Sequence, residues 1–168
     1  MSHHAALLFA LFFLVADASA ANSIVIGHGI KIDGVCETGD WDSGYVWLIN
    51  ARRTISGPAV KGKIRIIAMS HAQPKDSYLK TVQLFVLAPV TKDAAEASKE
   101  PSFSLIASSP LYRRDQYCIA FKPSEIGIPL NDTEVERNEH DAYCFSKRAL
   151  LEAAKRMGPN QSRKGERS

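Results

Sequence analysis

The sequence predicts a mainly β protein, a small antiparallel barrel or sandwich with one helix at its C-terminal end. Three observations carry this. Apolar and polar residues alternate with period 2 in a series of short segments between residues 24 and 121, where turn residues such as Ser56-Gly57-Pro58 intervene. Only one stretch, 146–157, has a firm helical period. The whole fits one domain over 21–158, with residues 159–168 as a disordered basic tail.

Residues 1–20 are set apart as an export signal. Residues 5–15 form an unbroken apolar run, about half the length needed to span a bilayer as a helix, and Ala18-Ser19-Ala20 supplies a small-residue cleavage site. The four residues ahead of the run contain no Lys or Arg, which departs from the usual signal pattern. Cleavage after Ala20 is expected, and with it a secreted or periplasmic location.

Within the domain, IVIGHGIKI at 24–32 reads as a strand with a bulge or sharp bend at Gly27 and Gly29. YVWLINAR at 45–52 places Val46 and Leu48 on one face and Tyr45, Trp47 and Ile49 on the other. In the third segment Ile64, Ile66 and Ala68 oppose Lys63 and Arg65, which predicts a strand with one buried face. LKTVQLFVL follows, with Val82, Leu84 and Val86 expected inward against Thr81 and Gln83. Residues 91–100 read as a short exposed helix or a loop, and 103–108 and 116–121 as the last strands. Between 123 and 141 lies a polar connection with a capping box predicted at Thr133 and Glu136. The final helix is expected to bury Leu150, Ala154 and Met157, to pair Glu152 with Arg156, and to stop at Gly158-Pro159.

Three cysteines in an exported chain cannot all pair internally. Cys118–Cys144 is the favoured disulfide, tying the helix to the sheet, while Cys36 remains open to pairing with either.

Charge is unevenly distributed. After loss of residues 1–20 the chain carries 21 basic and 17 acidic residues; 147–168 is net +5 and 21–146 net −1. Lys147, Arg148, Lys155, Arg156, Arg163, Lys164 and Arg167 therefore offer electrostatic contact with a membrane surface, the weaker alternative to a solvated tail. Export argues against nucleic acid as a partner.

No catalytic residues and no cofactor are predicted. A G-x-S-x-G elbow, HExxH, an EF-hand loop and phosphate-loop or dinucleotide fingerprints do not occur. Glu134, Glu136, Glu139, His140 and Asp141 form the densest ligand-like patch, read as a solvated acidic segment with no metal site. Trp41, Tyr45 and Trp47 are the binding candidates, because aromatic rings give large contact area at low entropic cost. Core packing is the competing role for Trp47, and Trp41, among Gly39, Asp40, Asp42 and Gly44, is the better surface candidate.

VWLINARRTISG at 46–57, VKGKIRII at 60–67 and LFVL at 84–87 resemble the five-stranded OB-like barrel of the netrin and tissue-inhibitor-of-metalloproteinase type, over roughly residues 24–121. The resemblance implies a small exported OB-like module that binds something. It does not carry metalloproteinase inhibition, which in that family needs a cysteine at the mature N-terminus; here the expected mature chain begins Ala21-Asn22-Ser23 and Cys36 is the first cysteine. The expected function is a noncatalytic module that binds an extracytoplasmic protein or envelope component, the alternative being a small extracytoplasmic hydrolase with loop-borne residues.

Overall fold

The computed structural model describes residues 21–37, 43–70, 75–90, 103–112 and 115–158. Five strands form the larger sheet: β1 (Ser23–Glu37), β2 (Ser43–Ser56), β3 (Gly62–Ser70), β4 (Val82–Pro89) and β5 (Phe103–Pro110). They close into a barrel in the order β1-β2-β3-β5-β4, with β4 returning to β1. The barrel therefore replaces the sandwich alternative, and its order is OB-like. Its strands alternate in direction around the ring. An odd number of them must leave one like-directed seam, and this is β3–β5, where Ile66 and Ile67 lie parallel to Phe103 and Ser104.

Closing so small a ring requires strong bending. The β1–β2 ladder shifts register four times, and two of the shifts flank the Gly27-His28-Gly29 segment that the sequence marks as a bend. Neither glycine could carry a side chain. A Cβ at Gly27 would overlap the carbonyl oxygen of Asn50, and one at Gly29 would lie 2.9 Å from the carbonyl oxygen of Leu79. Leu79 ends the short helix α1 (Asp76–Leu79) between β3 and β4 and joins the barrel interior. Gln83 steadies that turn by donating from Nε2 to the Tyr78 carbonyl at 2.6 Å.

The interior of the barrel is filled by Val25, Tyr45, Trp47, Ile49, Ala51, Ile66, Ala68, Phe85 and Leu87. Tyr45 and Trp47 belong to this core, at 8% and 4% exposure. The expected facing of the fourth strand is reversed. Phe85 and Leu87 point into the barrel, whereas Leu84 and Val86 point out of it into a second core with Ile24 and Ile26. The apolar runs of β1 and β4 have this cause: both faces of each are covered, so alternation disappears.

The covering layer is the C-terminal part of the chain. It contains β6 (Gln116–Ile119), β7 (Glu136–Arg137), β8 (Tyr143–Ser146) and helix α2 (Lys147–Met157), with sheet order β6-β8-β7. Tyr117, Ile119, Phe145, Leu150 and Ala153 pack on the outside of β1 and β4, joined by Ile126, Ile128 and Leu130 from the connection that the sequence reads as polar. Cys118 and Cys144 are direct cross-strand partners of β6 and β8 and form the disulfide, 4.1 Å apart at Cα. Two residues later Ser146 caps α2 by accepting from the Ala149 amide at 3.0 Å.

Three local expectations need correction. The inward residue of α2 beside Leu150 is Ala153, with Ala154 only partly buried. Glu152 pairs with Arg148, because Arg156 donates instead to both carboxylate oxygens of Glu134 at 2.9 and 2.8 Å. The helix start in the connection is two residues earlier than expected: Glu134 Oε2 accepts from the Asn131 amide at 2.9 Å, ahead of a 3-10 turn at Asp132–Glu134. Residues 1–20, 91–100 and 159–168, which carry the expected signal, the helix-or-loop segment and the tail, lie outside the described residues.

Candidate binding face

The C-terminal layer covers one outer wall of the barrel. The opposite wall, made by the outward faces of the second half of β1, β2 and β3, carries its own pattern. Strand pairing arranges it in rows: Asn50 beside Lys63, then Lys31–Leu48–Arg65, then Gly34–Val46–Ile67, then Gly44 beside Met69. Because side chains alternate along each strand, residues two apart share this face. Val46, Leu48 and Ile67 are partly exposed and Met69 is 54% exposed. The wall thus passes from cationic at the β2–β3 turn, where Arg52 and Lys61 are also exposed, to apolar at the β1–β2 end. Val35 is exposed at that same end.

One carboxylate organises the middle of the wall. Asp33, opposite a register shift in β1, forms ion pairs with both Lys31 and Arg65. Its hydrogen bonds to Lys31 and Arg65 hold its carboxyl below the usual carboxylate range. The pairs are too exposed to add much stability; their structural consequence is to hold two cationic side chains beside Leu48.

Of the aromatic candidates, Tyr45 and Trp47 are placed inside the barrel and Trp41 lies outside the described residues. The wall residues themselves were visible as a change of chemistry in one phase. Lys63 and Arg65 share that phase with Ile67 and Met69, so the solvent face of the third strand turns apolar halfway along. A solvated face has no need of Ile or Met there.

Other candidate chemistry is sparse. No group of three or more His, Cys, Asp or Glu side chains among the described residues is arranged to hold a metal ion. In the acidic patch Glu134 is engaged by Arg156, and Glu136, Glu139, His140 and Asp141 are exposed. A cavity of about 190 Å³ in the C-terminal layer, between Lys122, Leu130, Arg137 and Tyr143, has its two cations facing Asp132 and Asp141. Lys147, Arg148, Lys155 and Arg156 lie on α2, while Arg163, Lys164 and Arg167 lie outside the described residues. The disulfide points to an oxidising, extracytoplasmic environment. No helix among the described residues is long and apolar enough to cross a membrane. No family model matches this chain, and neither a curated protein nor a solved structure does.

Proposed function

We propose that this chain is an exported, noncatalytic module that binds an extracytoplasmic protein through the β1–β2–β3 wall, its signal peptide removed after Ala20. The observation that carries this reading is the contrast between the two outer walls. Leu84 and Val86 on one are fully covered by the C-terminal layer, whereas Met69 on the other is 54% exposed beside Val46 and Ile67. Apolar side chains gathered on an open sheet and rimmed by charge are the usual composition of a protein contact. The strand order β1-β2-β3-β5-β4 is the OB-like order that a likeness to small exported netrin-type modules implies, while fold alone assigns no ligand.

Crosslinking affinity capture from the extracytoplasmic fraction tests the reading, comparing the chain with its Ile67→Thr/Met69→Asp variant and with a copy ending at Met157. The expected result is one saturable protein retained by the chain and by the shortened copy and lost from the wall variant. Retention lost only on shortening would assign binding to the basic tail instead.

A further inference from the structure

We infer that the partner presents an acidic protein segment, whose apolar side chains cover Val46, Ile67 and Met69 while its carboxylates meet Lys61, Lys63 and Arg65. The inference rests on the wall being the binding surface. Its first support is segregation of charge. Residues 31–35, 44–52 and 61–69 hold five cationic residues, Lys31, Arg52, Lys61, Lys63 and Arg65, against Asp33 as their one anion. The rest of residues 21–146 is net −5. Positive charge is therefore gathered on this wall of a body that is otherwise acidic, and a complementary surface must be negative.

The second support is the apolar half. A sulfated polysaccharide or a nucleic-acid backbone supplies anions along its whole length and would leave Val46, Ile67 and Met69 facing charge and water. Asp33, set between Lys31 and Arg65, also interrupts a uniformly anionic ligand laid along the cationic row. A polypeptide meets both halves, with carboxylates near Lys63 and Arg65 and apolar residues near Met69. Lys63 and Met69 are six residues apart on β3, roughly 20 Å at strand rise. An extended segment of about six residues spans that distance. The cationic and apolar rows are two residues apart, about 7 Å, so acidic and apolar side chains must fall close together in the segment.

Selection of a phage-displayed random dodecapeptide library on the full chain tests this, with parallel selections on Lys61→Glu/Lys63→Glu and on Ile67→Thr/Met69→Asp. The first variant leaves the Asp33 pairs in place, and thermal unfolding verifies that both variants fold. Enriched peptides are expected to carry two or more Asp or Glu beside apolar residues. Synthetic copies should bind each variant at least tenfold more weakly, weaken at least fivefold between 50 and 500 mM salt, and resist displacement by heparin. Peptides without acids that need Ile67 and Met69 but ignore Lys61 and Lys63 would overturn the acidic chemistry and leave the wall as the binding surface. Heparin binding lost on Lys61→Glu/Lys63→Glu and kept on Ile67→Thr/Met69→Asp would replace the protein segment with a polyanion. Peptides selected equally on all three chains, or on none, would overturn the wall as well.

Discussion

At the residue scale, Tyr117 and Trp47 show what burial does to a polar handle. Tyr117 is fully buried in the second core and its hydroxyl has no hydrogen-bond partner among the described residues. Desolvation, reinforced by the nearby Asp115 charge, pushes its pKa up to about 12. A tyrosine whose folded pKa is raised contributes stability below its unfolded value, 10.0, and loses it as pH climbs through the folded value. Wild type should therefore lose stability between pH 10 and 12. Tyr117→Phe should lack that limb and remain within about 1 kcal/mol of wild type at pH 7, since no hydrogen bond is removed. Urea unfolding at pH 8 and 11 checks both statements. Trp47→Ala should instead cost about 3–5 kcal/mol at neutral pH, because it empties the middle of the barrel. A near-neutral result would remove Trp47 from the core. Sequence spacing put Tyr45, Trp47 and Ile49 on one face correctly, but an inward face and an aromatic contact face look alike until the barrel closes.

At the scale of elements, legibility followed coverage. The third strand, wet on one side, shows period 2, and Ile66 and Ala68 lie inside as expected. In β4, covered on both sides, period 2 set Leu84 and Val86 inward by their contrast with Thr81 and Gln83, and this is reversed, because an apolar run over 84–87 does not distinguish Leu84, which faces the C-terminal layer, from Phe85, which faces the barrel. The same layer hid itself: Ile126, Ile128 and Leu130 keep a period of 2 amid turn residues and charges, and their burial depends on β1 and β4, about 100 and 40 residues away. In α2 the helical period was right and the buried face slightly rotated, to Leu150 and Ala153, while the partner of Arg156, Glu134, lies 22 residues earlier in the chain and outside the helix. The favoured disulfide was readable because Cys118 sits in a strand and Cys144 just ahead of a helix. The bond closes a loop with a separation of 26 residues, for which chain entropy gives on the order of 3 kcal/mol. Reduction should lower unfolding stability by about that amount while β1–β5, which contain neither cysteine, keep their hydrogen-exchange protection. Equal loss of protection throughout the barrel would show that the two layers unfold as one unit.

At the scale of the whole molecule, the barrel is asymmetric. One outer wall is sealed by β6–β8 and α2, and the other carries a charged-to-apolar gradient along β2 and β3. Covering the first wall accounts for the C-terminal layer without any further role, which leaves the second as the surface whose composition folding alone does not explain. The wall was present in the sequence as Lys63, Arg65, Ile67 and Met69 in one phase. Its meaning required the register that sets Val46 beside Ile67 and Leu48 between Lys31 and Arg65. Hydrogen–deuterium exchange of the chain, alone and in complex with the protein it retains, tests this assignment most directly. Exchange is expected to slow in residues 43–50 and 62–70 on binding, with 147–157 unchanged. Protection confined to 147–157, with the two strands unaffected, would contradict it.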